Sequence, residues 1–254
     1  YEITTRLVGS EMCIRDRVLE FRTFGYIQRS NKVSAMERVT IEQAKILLGN
    51  NFIGLDELRP LFTRMGGLYD GIEIPEIGYS WFELQQHSND HILILGLSEL
   101  DNIKLSIQTF RDCFGIDPNV SEPCFYNQDW YLKEKFLDNT LKNGWYLLKK
   151  TVLENSRAMQ PELLLKHNVV FPSAILCVYT FFAYYYSRHE MLWKHDFVWC
   201  SDMDHNGDRI YVGKYHDISG VNKNGFSIHR HLALRECYAS INSVSYTHLR
   251  AHET

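Results

Sequence analysis

Hydrophobic positions along this chain fall into two kinds of run, and each predicts a different element. VTIEQAKILL at Val39–Leu48 has helical spacing, with Thr40 in an N-cap position, Gln43 at capping-box distance and Gly49 at the end. Leu55–Met65 predicts a second helix, with Asp56 and Glu57 in its first turn, Pro60 early in it and Gly66-Gly67 after it. The two are expected to pair as a helical hairpin. Trp81–Gln86 suits one helical turn, and Ile107–Phe114 predicts a helix capped by Ser106. From Trp130, the positions Tyr131, Leu132, Phe136, Leu137 and Leu141 recur near helical spacing, with Asp129 as the cap and Asn143-Gly144 as the stop. Pro172–Glu190 is the longest helical segment, capped by Ser173. Its surface from Ala174 to Tyr186 is apolar or aromatic nearly all round, so it reads as a central helix buried on most sides.

The second kind of run predicts strands. His91–Leu97 is a continuous apolar run between turn signals, the profile of a buried strand, and Trp145–Lys150 reads as a strand leaving a turn. Phe197–Ser201, Arg209–Tyr215 and Phe226–Leu234 are separated by Asn206-Gly207 and Asn224-Gly225 turns. They predict a small antiparallel sheet that closes the fold, with a type I′ turn at Asn206-Gly207. In the last strand Phe226, Ile228, Leu232 and Leu234 share one face, and Ser227, His229, His231 and Arg235 the other. Arg230 interrupts the apolar face, which calls for a carboxylate partner or a bulge. The fold class is therefore α+β. A helical region over 18–80 is expected to precede a mixed domain over 81–242, joined by the Gly-, Pro- and Tyr-rich stretch Gly66–Ser80.

The two ends are set apart. Residues 1–17 and 243–254 carry RLVGSEMCIRDR and SYTHLRAHET, strings that resemble translated sequencing-adapter read-through joined to a gene from a short-read, metagenomic assembly. Glu11, Arg15, Asp16 and Arg17 exclude a signal-peptide core, so a cytoplasmic location is expected rather than a secreted one. Formal net charge is −4 and no basic run is present, which argues against a nucleic-acid surface. No apolar run reaches the ~18 residues of a membrane span. The cysteines outside the first end, Cys113, Cys124, Cys177, Cys200 and Cys237, show no CxxC spacing. Such a set suits buried free thiols in a reducing compartment, with a Cys200–Cys237 disulfide as the alternative.

Candidate chemistry concentrates in the segment from His195 to Glu236. Asp202, Asp204, Asn206 and Asp208 place oxygen side chains at alternate positions, with Gly207 sixth, like the first half of a calcium loop. Gly213 stands where the bidentate glutamate should be, and a strand pattern follows where a helix should. A plain hairpin is therefore the first reading and a calcium site completed by distant carboxylates the second. His229 and His231 project together and could bind a metal or move protons; a solvated sheet face is the simpler reading. Cys200 beside Trp199 is a candidate thiol, with a buried core cysteine as its default. Tyr179, Tyr184, Tyr185 and Tyr186 could stack on a sugar or base, but core rings with hydroxyls at the rim are expected. Nucleophile-elbow and phosphate-loop motifs do not occur.

Phe171-Pro172-Ser173-Ala174 at the helix start, Trp199-Cys200-Ser201 on a strand, and Asn224-Gly225-Phe226-Ser227-Ile228 with Arg230 and Arg235 together resemble the C-terminal half of C-type-lectin-like domains. The branch is that of formylglycine-generating-enzyme-like proteins and bacterial surface domains. The resemblance covers about a quarter of the chain and implies a twisted antiparallel sheet flanked by helices. The lectin sugar-and-calcium motifs E-P-N and W-N-D are absent, since Glu122-Pro123 is followed by Cys124. Function does not carry over with it; the first expectation on such a scaffold is a non-enzymatic module binding a protein or glycan, with Trp199, Ser201, Asp202, Asp204, Asn206, Asn222 and Asn224 on the ligand face. The alternatives are a thiol enzyme using Cys200, a metal-dependent hydrolase using Asp202, Asp204, His229 and His231, or a phage or mobile-element structural protein.

Overall fold

The computed structural model describes residues 38–67, 71–216, 224–230, 238–241 and 243–244, and the fold is α+β. Among the described residues the helices are α1 (Ile41–Leu48), α2 (Leu55–Met65), α3 (Trp81–His87), α4 (Ile107–Phe114), α5 (Pro161–Lys166) and α6 (Ala174–Arg188). The first sheet has the order β1-β2-β5-β10, with β1 Phe52–Ile53, β2 His91–Gly96, β5 Gly144–Lys149 and β10 Ser243–Val244. β1 lies parallel to β2, and the other pairs are antiparallel. A short ribbon joins β3 (Glu99–Leu100) to β4 (Ile103–Lys104). The second sheet has the order β8-β7-β6-β9, with β6 Phe197–Met203, β7 Arg209–Gly213, β8 Ser227–Arg230 and β9 Tyr238–Ala239. β6, β7 and β8 are antiparallel, as their turn-separated pattern implied, and β9 adds in parallel to β6.

The local signals that start the helices are realised as side-chain bonds. Thr40 Oγ1 accepts from Gln43 N, and Gln43 Oε1 accepts from Thr40 N, which closes the capping box of α1. Ser106 and Ser173 cap α4 and α6 by accepting from Thr109 N and Leu176 N, without the return bond. α6 is the centre of the molecule. Every residue from Ala174 to Tyr184 is buried, and the helix packs on β1 and β2 from one sheet and on β6 and β7 from the other. Tyr179 is fully buried and its hydroxyl donates to Leu95 O at 3.1 Å, so it is a core ring with a satisfied polar end. One hydrophobic cluster runs from Val39 to Ile241. β1, from before residue 80, lies beside β2, from after it.

Three sequence expectations are corrected. α1 and α2 do not form a helical hairpin. The 3₁₀ turn Gly49–Asn51 and β1 come between them, α1 packs on α3, and α2 packs on α6. Pro60 is the sixth residue of α2 rather than part of its first turn, so the Asp56 carbonyl loses its intrahelical donor. The segment from Trp130 is not a long helix but turns followed by a 3₁₀ turn at Lys135–Asp138. Tertiary bonds override its helical period. Arg111 binds the Tyr131 hydroxyl, the Gln128 carbonyl and the Asp129 carboxylate that was expected to cap the helix. Trp130 Nε1 donates to Ile228 O.

The Asn206-Gly207 turn is not type I′, because only Gly207 of the pair has a positive φ, +85°. Gly207 N donates to Asp204 O and Asp204 N to Asp208 O, so three residues form the loop. The Asp204 carboxylate holds this geometry by accepting from Asn206 N and Asp208 N. At the other Asn-Gly pair, a Cβ on Gly225 would lie 2.4 Å from Tyr126 N, so only glycine lets that backbone come so close. There Tyr126 N donates to Phe226 O and Phe226 N to Cys124 O, an isolated bridge just before β8.

Candidate functional site

The tip of the β6–β7 hairpin gathers more charged and polar chemistry than its own sequence shows. Asp204 is its buried centre. Oδ1 accepts two backbone N–H groups, at 2.8 Å from Asn206 and 2.9 Å from Asp208, and Oδ2 accepts from Arg230 Nη1 at 2.7 Å. Burial opposes ionisation of this carboxyl, but Arg230 and the two N–H groups outweigh it and hold the Asp204 pKa below the usual range. Arg230, the residue that interrupted the apolar face, thus has the carboxylate its position called for. Its guanidinium also lies 4.9 Å above the Trp130 ring. The next residue, His205, is held by Glu134. The Glu134 carboxylate is buried and accepts from His205 N at 3.0 Å and meets His205 Nδ1 at 2.5 Å.

Asp202 sits one pleat away and does something else. Its Oδ2 accepts from Ala174 N at 2.6 Å, at the first turn of α6, where a negative charge is favourable. Asn206 and Asp208 are exposed. The structure therefore does not converge the side chains of Asp202, Asp204, Asn206 and Asp208 on one point: the first caps a helix, the second is bound by Arg230, and the last two give backbone donors. Ser201 is exposed, and its amide donates to Pro172 O. Trp199 is buried in a second cluster with Leu164, Phe171, Phe197 and Tyr211, on the sheet face away from α6. Asn224 Oδ1 lies 2.8 Å from His216 Nδ1. Asn222, His231 and Cys237 lie outside the described residues.

His229 is not on a solvated face. Its ring stacks on Tyr211 at 5.6 Å, meets Phe197 edge-on, and lies 3.0 to 3.1 Å from the Gln128 amide at both nitrogens. Burial, with Lys214 adding to it, pushes the imidazole down to about 4. The folded chain then holds fewer protons than the unfolded one between about pH 6.5 and about 4. This group should leave stability unchanged above that window and lower it as pH falls through it, by up to about 3 kcal/mol. In urea melts across the window, His229→Phe, which keeps the ring stack, should lose less stability than wild type; identical pH profiles would dismiss the assignment.

Cys200 is fully buried and carries a free thiol, with Cys177 of α6 beside it. Burial first, and then Cys177, raises its pKa well above that of an ordinary cysteine, which is the opposite of what a thiolate nucleophile needs. Tyr184 is buried like Tyr179, and its ring carries the Lys150 ammonium at 4.9 Å.

Among the described residues two groups have ligand atoms close enough to share a metal ion, each set lying within 4.8 Å of one another: Glu134, Asp204 and His205, and His87, Asp90 and His91. Sequence reasoning missed most of these residues. Glu134 was hidden by the expected helix around it, and its partner is 71 positions away. The His-x-x-Asp-His spacing at a helix end was the readable signal for the second group. No family model matches the chain, and neither a curated protein nor a solved structure matches it. Among the described residues, no helix is long and apolar enough to cross a membrane.

Proposed function

We propose that this chain is a non-enzymatic binding module, with the β6–β7 hairpin tip as its recognition face and a protein surface as its ligand. One observation carries the reading: three acidic groups at the tip, Asp202, Asp204 and Glu134, are consumed in holding it still, and Asp208 is left facing outward. Asp204 is bound by Arg230 and two amides, Glu134 by His205, and Asp202 by the start of α6. A rigid loop on a packed sheet, with Ser201, Met203, His205, Asn206 and Asp208 facing outward, is suited to recognition with little ordering cost. Calcium has no part in this reading, because a guanidinium already neutralises Asp204. A protein ligand is favoured over a glycan because the nearby rings are occupied: Arg230 covers Trp130 and His229 covers Tyr211. The lectin-like resemblance agrees with a loop-displaying scaffold and supplies no ligand.

The test places a photo-crosslinking amino acid at Met203, which is 51% exposed, and, in a separate variant, at Val120, a more accessible position in another loop. In a concentrated cell lysate, position 203 should give a discrete adduct that the Val120 variant does not give. Adducts of the same pattern from both positions, or none from position 203, would overturn the assignment of this face.

A further inference from the structure

We propose that Asn206 is a covalent modification site: water, with the chain's own backbone as nucleophile, converts its side-chain amide to an acid at the tip of the β6–β7 hairpin. The site is independent of the reading above, although it lies on the same face. Asparagine before glycine permits this chemistry, because glycine leaves the following backbone nitrogen unshielded and conformationally free. The chain holds three such pairs, Asn143-Gly144, Asn206-Gly207 and Asn224-Gly225. The fold treats them differently.

Asn143 is exposed, but its Oδ1 accepts from Ser98 N at 2.7 Å, and Gly144 is paired with Gly96 in the first sheet. Asn224 Oδ1 lies 2.8 Å from His216 Nδ1, and Gly225 is buried with its amide donating to Tyr215 O at 2.9 Å. In both pairs the side-chain carbonyl and the backbone of the glycine are held. Asn206 and Gly207 are both exposed, and among the described residues no hydrogen bond reaches the Asn206 side chain. What Asp204 Oδ1 holds, at 2.8 Å, is the backbone amide of Asn206. The nucleophile is restrained by one bond, from Gly207 N to Asp204 O at 3.0 Å. That bond lies at an exposed hairpin tip, where local opening costs least.

The reaction balances with water alone. Gly207 N gives up its proton to water and attacks Asn206 Cγ. The N–Cγ bond forms, the Cγ–Nδ2 bond breaks, and Nδ2 takes a proton and leaves as ammonia. Water then opens the cyclic imide at either carbonyl. One opening yields aspartate. The other yields isoaspartate, whose main chain runs through Cβ and Cγ, so the loop backbone between Asp204 and Asp208 becomes longer. This moves Gly207 N and Asp208 N off their bonds to Asp204 and sets a new carboxylate near the exposed Asp208. The product therefore loosens the network that holds the tip.

The test incubates the full chain at physiological pH and temperature, folded and in parallel in urea, and maps the three pairs by tandem mass spectrometry. In urea all three should convert. In the folded chain Asn206 should convert while Asn143 and Asn224 keep their amides. An isoaspartyl methyltransferase with a labelled methyl donor should label aged wild type more than aged Asn206→Gln, a change at an exposed side chain. Aged wild type should melt below the fresh protein, and aged Asn206→Gln should melt as its own fresh form does. An Asn206 amide still intact when the urea sample has converted, or conversion of all three pairs alike in the folded chain, would overturn the proposal. Equal melting of aged and fresh wild type would overturn the loosening of the tip.

Discussion

Replacing Phe182 by alanine is expected to lower the unfolding free energy by about 3–5 kcal/mol. Phe182 is fully buried on α6 and meets rings from several separate elements. Its ring centroid is 4.3 Å from Phe114 and 5.6 Å from Phe110 on α4, and 5.2 Å from Phe125 on the segment that bridges to Phe226. Truncation removes the transfer free energy of a phenyl group and leaves a cavity walled by rigid rings on different elements. They cannot close it without moving α4 and the 124–126 segment together. Urea denaturation should show a lower midpoint with an unchanged slope, the signature of lost stability rather than an altered unfolded state. A loss below about 1.5 kcal/mol would mean that the cluster repacks as a fluid core would.

The second large effect is expected at Asp204. Asp204→Ala removes a buried acceptor from two backbone amides and from Arg230 at once, at a cost of about 2–4 kcal/mol. The loss falls short of the extreme for a broken buried pair because the Arg230 side chain is 35% exposed and can turn to water. Asp204→Asn separates the two contributions. An amide oxygen can still accept from Asn206 N and Asp208 N and keep the loop, but it offers Arg230 no charge. Thermal melts should therefore place Asn between wild type and Ala. Equal losses for both would assign the whole effect to the ion pair, and none for Asn would assign it to the loop.

How much of this could be read beforehand depended on how far each signal had to reach. The Thr40–Gln43 capping box, the Ser106 and Ser173 caps, the apolar run of β2 and the alternation of β6 to β8 all act within a few residues. Those elements formed where the pattern placed them. The segment from Trp130 had a helical period as good as that of α4, yet Arg111, Ile228 and His205 bind its side chains and carbonyls from elsewhere and pull it off the helix. No local rule carries that information. The hairpin tip divides in the same way. The turn and the need of Arg230 for a carboxylate were legible; the choice of Asp204 as that carboxylate was not. The Asp202 side chain is read wrongly by spacing alone, because its partner is the start of a helix far back in the chain. Folding the strand back brought Glu134 into a cluster that spacing along the chain assigned to Asp202, Asn206 and Asp208.

α6 is the wall shared by both sheets, with β1 and β2 against it on one side and β6 and β7 on the other. Neither sheet can peel away without uncovering a helix that is apolar nearly all round, so the first step of such a separation already exposes much of the core. The two sheets should therefore behave as one cooperative unit, and partial opening is confined to outlying parts such as the β3–β4 ribbon, where Glu99, Ile103 and Lys104 already face water. For the described sheets, loss of structure on heating is therefore expected as one shared transition rather than two separate ones.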